Sequence, residues 1–240
     1  MRTDELQMRL RSLGFDPGPT DGIYGEMTEE AVFDALDKYA PAVELPSGII
    51  PMEWMPVCQM ERVICHWTAG AYKASVDDVH AYHILIEDTG NLVRGSYSIK
   101  DNVDTSDGRY AAHTKNCNSG SIGVSLCCMA GAVESPFNPG KYPMTQKQFD
   151  MLAQVVAELC DTYDIPVEPE TVLTHAEVQG TLGITQSGKW DYTRLAFAPE
   201  INGAKACGDM LRSAVTESWA SLMTAPPAVA VSPSPDVAIL

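Results

Sequence analysis

Two histidines and one aspartate have the residue types of a metal site. His66 ends the apolar segment VICH and His175 ends the similar segment VLTH, so each imidazole is predicted at the end of a β-strand. Asp191 follows Lys189 by two positions in SGKWDYTR, and this spacing in an extended segment points both side chains the same way. Two imidazoles and one carboxylate suit zinc and leave a fourth tetrahedral position for water or substrate. The pattern therefore indicates a catalytic metal centre.

Each of these residues also has a structural interpretation. A single histidine at a strand end is more often a hydrogen-bonded structural residue than a ligand, and an isolated Asp191 would be a turn residue. Cys65 adjoins His66 but faces the opposite side of a strand. The seven cysteines include no C-x-x-C pair, so a thiolate zinc finger is excluded and reduced thiols are expected.

The elements that must position the candidate ligands alternate between strands and helices from about residue 58. Strands are predicted from apolar runs and turn signals over 62–66, 82–87, 92–97, 121–131 and 171–178. Helices are predicted over 145–165 and 203–223. This order predicts an α/β fold with a mixed central β-sheet flanked by helices. Neighbouring strands bring their ends together, so His66 and His175 can share one site.

The first 40 residues are predicted to form a separate, small helical unit. Leu6 and Leu10 lie on one face of a short helix that Gly14 ends, and a turn cluster, DPGPTDGIYG, follows. Thr28 is predicted to cap a second helix, with acidic residues in its first turn.

The segment LQMRLRSLGFDPGPTDGIYGEMTEEAVFDAL resembles the peptidoglycan-binding module found beside many cell-wall hydrolases. The resemblance implies a third helix, for which LPSGIIPMEWM is the candidate segment, and a generic helical hairpin is the alternative interpretation. The predicted organisation is a small all-α domain over 1–56, a catalytic domain over 57–224 and a disordered, Pro- and Ser-rich tail over 225–240.

A second resemblance covers roughly residues 58–200. The strings ICHWTAG, YHILIEDTGNLVRG, AAHTKNCNSGSIGVSL and LTHAEV…GKWD occur in the order and spacing of the zinc-dependent N-acetylmuramoyl-L-alanine amidases. This family includes phage lysins and the related peptidoglycan recognition proteins. The resemblance implies the amidase fold, with a mixed sheet flanked by helices.

The same resemblance implies roles for individual residues. It makes one zinc ion per chain the expected cofactor, with Lys189 as a catalytic residue and Tyr82 as a tyrosine needed for full activity. His113 and Asn118 match residues that line the substrate groove. The implied zinc ligands are the three residues considered above, His66, His175 and Asp191.

One position departs from part of the family. The bacterial recycling branch carries a glutamate where this chain has Ser125, and serine cannot act as a general base. The chain therefore resembles the phage-type branch, in which Tyr82 and Lys189 are the candidates for proton transfer and oxyanion stabilisation. The group that takes the proton from water is left open.

Composition narrows the choice of partners. The formal net charge of −16 argues against a nucleic-acid partner and against capture by an anionic membrane. Neither a long uncharged apolar run nor a secretory signal peptide is evident, so no membrane insertion is expected. The expected partner is peptidoglycan, a glycan strand with stem peptides, which is bound through shaped pockets by a monomeric protein.

These observations together predict a modular endolysin that cleaves the amide between N-acetylmuramic acid and L-alanine. We expect it to wait in the host cytoplasm until it is released to the cell wall. A bacterial muropeptide-recycling amidase is one alternative, and a non-catalytic peptidoglycan recognition protein is the other.

Overall fold

We describe the chain from a computed structural model, in which residues 2–39 and 48–224 are described. These residues fall into two compact units, one within 2–39 and the other within 48–224. The predicted tail over 225–240 lies outside the described residues.

The first unit is a pair of helices, α1 (Thr3–Ser12) and α2 (Glu26–Tyr39). Gln7 of α1 is buried, and its amide fixes the Pro- and Gly-rich loop between the helices. Its Nε2 donates to the Ile23 carbonyl at 2.9 Å, and its Oε1 accepts from the Gly22 N–H at 3.0 Å. These two hydrogen bonds tie the loop to α1.

Thr28 is not the predicted helix cap. The helix α2 begins at Glu26, so Thr28 lies within its first turn and is 1% exposed. Its hydroxyl donates to the Pro17 carbonyl at 3.0 Å and accepts from Gln7 Nε2 at 3.1 Å. The threonine is used to join the loop to both helices rather than to cap one of them.

Residues 48–56 belong to the second unit, whereas the predicted boundary follows residue 56. In place of the predicted third helix, residues 48–56 contain one 3-10 turn, Met52–Trp54, which lies between Pro51 and Pro56. Ile50 is 2% exposed in the core of the second unit, and its N–H donates to Glu158 at 3.2 Å.

The second unit is built on a five-stranded sheet. Its strands are β1 (Arg62–Trp67), β2 (Ile84–Ile86), β3 (Leu92–Arg94), β4 (Ser121–Leu126) and β5 (Val172–Thr174). The spatial order is β3-β2-β4-β1-β5, with β3 antiparallel to β2 and all other pairs parallel. The predicted mixed sheet is confirmed.

Helices cover the sheet and complete the core. They are α3 (Val76–Ala81), α4 (Gln146–Thr162), α5 (His175–Leu182) and α6 (Ala204–Thr224). The apolar face of α4 is fully buried at Leu152, Val155, Val156 and Leu159, as its periodicity predicts. No helix within the described ranges 2–39 and 48–224 is both long enough and apolar enough to cross a membrane.

The predicted strand over 171–178 is wrong beyond Thr174. The strand β5 ends at Thr174, and His175 is the first residue of α5. The Glu177 carboxylate accepts from the Thr174 N–H at 2.9 Å, which is half of a capping box and starts the helix. The T-H-A-E sequence contains this signal, which the apolar run preceding it obscures.

Candidate metal centre

His66, His175 and Asp191 converge at one edge of the sheet. Cys65 of β1 pairs with Thr174 of β5 in parallel register, so the residues that follow, His66 and His175, lie side by side. Asp191 reaches the same point from the loop after α5, and its backbone carbonyl accepts from Ala176 N–H at 3.1 Å. All three side chains are buried.

The three candidate ligand atoms form a nearly equilateral triangle. His66 Nδ1 lies 3.0 Å from His175 Nδ1 and 3.2 Å from Asp191 Oδ2, and His175 Nδ1 lies 3.1 Å from Asp191 Oδ2. Zinc–ligand bonds of about 2.0–2.1 Å at tetrahedral angles separate neighbouring ligand atoms by about 3.3 Å. The donor set therefore fits three corners of a zinc tetrahedron. Within residues 2–39 and 48–224, it is the one group of His, Cys, Asp and Glu with such convergence.

The outer nitrogen of His66 is occupied by a hydrogen-bond partner. His66 Nε2 lies 3.3 Å from both His113 Nδ1 and Thr114 Oγ1. His113 Nε2 lies 3.3 Å from the Ser121 carbonyl, which can only accept, so His113 Nε2 carries the proton and His113 Nδ1 is an acceptor. His66 can then donate from Nε2 and keep the Nδ1 lone pair for a metal.

The outer nitrogen of His175 is also bonded. His175 Nε2 lies 3.0 Å from Gln186 Oε1, and Gln186 is 4% exposed. An amide oxygen accepts only, so His175 carries its proton on Nε2. Both imidazoles and the carboxylate thus direct lone pairs at one point, which requires a cation or protons between them.

Burial and mutual contact set the charges of the cluster in the metal-free protein. Burial lowers the pKa of His66 to about 4, although Asp191 opposes this shift. Burial alone would raise the pKa of Asp191, but the close contacts of its carboxylate with the His175 and His66 rings outweigh burial and lower that pKa. His66 is therefore a neutral imidazole and Asp191 an ionised carboxylate, the protonation states that bind metals.

Tyr82 and Lys189 lie near the cluster in different environments. The Tyr82 ring packs on His66 with centroids 5.1 Å apart, and burial raises the pKa of its phenol, so it is a neutral hydrogen-bond donor. Lys189 is exposed, and its positive charge contributes to lowering the pKa of His66. Ser125 pairs with His66 in the sheet register and is fully buried. This position beside the cluster therefore carries a hydroxyl group and not a carboxylate.

His113 and Asn118 lie behind the ligands rather than at an open surface. His113 is 6% exposed against His66, and Asn118 is 8% exposed. The Asn118 Oδ1 accepts from the Thr114 N–H at 2.8 Å, which orders the segment that supports His66. Their predicted place in a substrate groove stays a prediction, while the contacts observed are those of supports for a ligand.

Three supporting residues had no recognisable signal in the sequence. They are Thr114, Gln186 and Tyr192, the last of which is fully buried and donates from its hydroxyl to the His66 carbonyl at 3.1 Å. Tyr192 directly follows Asp191 in the sequence, but adjacency to a candidate ligand does not by itself assign a role. Trp67 and Trp190 make an edge-to-face contact with centroids 4.9 Å apart, and Trp67 is buried.

Two models of known protein families match parts of the chain. A family model described as N-acetylmuramoyl-L-alanine amidase matches residues 56–193, and one described as a putative peptidoglycan binding domain matches residues 2–34. No curated protein matches the chain.

Three solved structures are similar to part of the chain. The Ph2119 endolysin from Thermus scotoductus MAT2119 bacteriophage Ph2119 is 14% identical, covers 65% of this chain and 90% of its own, and has a TM-score of 0.35. PlyL is 18% identical, and the match covers 59% of this chain and 81% of PlyL with a TM-score of 0.33. The third is the ectodomain complex of peptidoglycan recognition proteins LCa and LCx bound to tracheal cytotoxin. It is 16% identical, and the match covers 59% of this chain and 89% of that chain with a TM-score of 0.35.

Proposed function

Because this chain belongs to the N-acetylmuramoyl-L-alanine amidase family, we propose that it hydrolyses the muramoyl–L-alanine amide of peptidoglycan with zinc held by His66, His175 and Asp191. The observation that carries the proposal is the triangle of three buried donor atoms 3.0–3.2 Å apart. A bound zinc ion would supply Lewis-acid polarisation of the amide carbonyl and a water of lowered pKa.

Lys189 and Tyr82 are the proposed catalytic side chains. Lys189 is exposed and lies two residues before Asp191, so its ammonium is available to a substrate oxygen that gains negative charge at the metal centre. The Tyr82 phenol is neutral and can donate a hydrogen bond to the substrate, but it is not a base at ordinary pH. Ser125 has no acidic side chain to take a proton from water, so it does not serve as the base.

We further propose that the protein acts as a modular endolysin on the intact cell wall. The first unit, which matches a putative peptidoglycan binding domain, would keep the enzyme on the polymer. A small binding unit on the same chain raises the local concentration of the catalytic unit without any change at the metal centre.

The direct test is mass analysis of peptidoglycan digested by the purified, zinc-loaded protein. New lactyl ends on muramic acid and free L-alanine amines should appear together, because cleavage of one amide produces both. Cleavage of a glycosidic bond or of the stem peptide instead would contradict the proposal.

The zinc requirement is tested with Asp191→Ala and a metal assay on the same preparations. Loss of the carboxylate leaves two imidazoles, so bound zinc and amidase activity should both be lost. Activity that persists in the variant after chelation would rule out the zinc mechanism. Zinc bound by the wild-type protein without any cleavage of sacculi or of soluble muropeptides would favour a recognition protein.

A further inference from the structure

Gln186 makes the one hydrogen bond to the outer nitrogen of His175 that is seen among the described residues. It lies in the loop between α5 and Asp191, and its side chain is buried. Its backbone N–H donates to Gln179 Oε1 on α5 at 3.0 Å, so the loop is tied to the helix that begins with His175.

The partners of the Gln186 amide determine which way it points. Its Nε2 donates to the Lys115 carbonyl at 2.8 Å and faces the Ile184 carbonyl at 3.4 Å. Carbonyl oxygens only accept, so the amide nitrogen must lie on that side and Oε1 must face His175. A rotation of the amide by half a turn would lose the donor bond to Lys115 and place Oε1 against two carbonyl oxygens.

The orientation of this amide selects the tautomer of His175. With Oε1 at 3.0 Å from His175 Nε2, the proton of the neutral ring stays on Nε2 and the Nδ1 lone pair faces His66 and Asp191. The other tautomer would direct an N–H into the donor triangle and remove one of its three corners. A fixed ring also loses little freedom when a metal binds.

Gln186 also links the supports of the two imidazoles. Lys115, whose carbonyl it holds, directly follows Thr114, which contacts His66. A displacement of Gln186 would therefore reach both histidines.

We propose that Gln186 is a positioning residue, which holds His175 in the tautomer and orientation that bind zinc. This inference rests on the proposed function. It predicts a loss of metal affinity when the acceptor is removed, and a smaller loss when another acceptor of similar length replaces it.

The test compares the zinc affinity of three full-length variants, measured on folded, metal-free protein by competition with a chromophoric chelator. Gln186→Leu removes the acceptor and should weaken zinc binding by about 10- to 100-fold. Gln186→Glu keeps an oxygen for His175 and should bind zinc more tightly than Gln186→Leu, although it loses the donor to Lys115 and sets a carboxylate oxygen against that carbonyl. Gln148→Leu is the matched control. Gln148 lies on α4, is buried like Gln186, and its amide also donates to two backbone carbonyls, those of Cys127 and Ile86, but it contacts no candidate ligand.

The outcomes separate this inference from the function on which it rests. Wild-type affinity in Gln186→Leu, or an equal loss in Gln186→Glu or Gln148→Leu, would overturn the role of Gln186 alone. A wild-type protein that binds no zinc would overturn the proposed function as well.

A second measurement reads the tautomer directly. Nitrogen NMR of the zinc-loaded wild-type protein should show the His175 proton on Nε2, slowly exchanging with water. In Gln186→Leu this proton should exchange faster, because its acceptor is gone. A proton found on Nδ1 of His175 in the wild-type protein would overturn the proposal.

Discussion

Lys189 differs from the three candidate ligands because it is exposed while they are buried. Its proposed role requires charge at the substrate and not at the metal, so Lys189→Ala should keep the bound zinc and lose turnover. Removal of one donor to a developing oxyanion costs on the order of 10²-fold in kcat. Steady-state kinetics with a soluble muropeptide and a zinc assay on the same protein would measure both effects.

The matched control for this variant is Lys205→Ala. Lys205 is also an exposed lysine, but it lies on α6 and its ammonium pairs with Asp209 at 2.6 Å. Its removal should leave both zinc content and kcat unchanged. Equal kinetics for Lys189→Ala and Lys205→Ala would remove Lys189 from the mechanism.

His83 is a buried histidine whose role is structural. Its Nδ1 accepts from the Gly123 N–H at 2.9 Å and its Nε2 faces Asn102 Oδ1 at 3.0 Å, so its hydrogen bonds fit the neutral ring. Burial lowers the pKa of His83 to about 4 from the ordinary value of 6.5. The folded protein therefore binds fewer protons at His83 than the unfolded chain does between these two pH values.

This difference predicts that the folded protein becomes less stable as the pH falls from about 6.5 to about 4. One titrating group contributes at most about 1.4 kcal/mol per pH unit to the free energy of unfolding. Urea unfolding of the metal-free protein at several pH values should show a steeper dependence for wild type than for His83→Gln. Parallel curves for the two proteins would show that His83 does not titrate in this range.

At the scale of elements, a buried ion pair joins α6 to the start of α5. Arg212 Nη2 lies 2.9 Å from Glu177 Oε1, and Arg212 Nη1 donates to the Val172 carbonyl of β5 at 2.9 Å. The pair approaches closely because Gly208 of α6 has no side chain, and a Cβ there would lie 2.1 Å from the Glu177 carboxylate. One arginine therefore anchors the strand and the helix on either side of the β5–α5 junction.

Arg212→Leu should destabilise the fold by about 3–5 kcal/mol, because it leaves the Glu177 carboxylate buried without its cation. Thermal or urea unfolding would measure the change. The double variant Arg212→Leu, Glu177→Gln should recover part of this loss, since no buried charge is left unpaired. A single variant as stable as wild type would show that the pair does not anchor these elements.

The same junction shows what the sequence could predict and what it could not. Apolar runs ending on histidine predicted correctly that β1 and β5 bring His66 and His175 together, because neighbouring strands share an edge. The local pattern predicts a strand over 171–178 because the capping signal directly follows an apolar run, whereas His175 starts a helix. Gln186 could not be found, because its role depends on a loop conformation that no spacing rule encodes.

At the scale of the whole molecule, the chain joins a small helical unit to a larger catalytic unit. Deletion of residues 1–45 should weaken adsorption to cell walls while cleavage of soluble muropeptides stays at the wild-type level. The physical reason is tethering, since the first unit would add affinity for the polymer but no group to the metal centre. Sedimentation with purified sacculi and steady-state kinetics would measure the two properties separately.

A longer deletion, of residues 1–56, tests where the catalytic unit begins. It removes Ile50 from the core and the N–H groups of Ile49 and Ile50 from Glu158, whose pKa is already raised by burial. The longer deletion should therefore lower the melting temperature, and the shorter one should not. If the two truncated proteins had the same melting temperature, residues 48–56 would be dispensable for the stability of the second unit. If both truncated proteins lost cleavage of soluble substrate, the division into two units would be wrong.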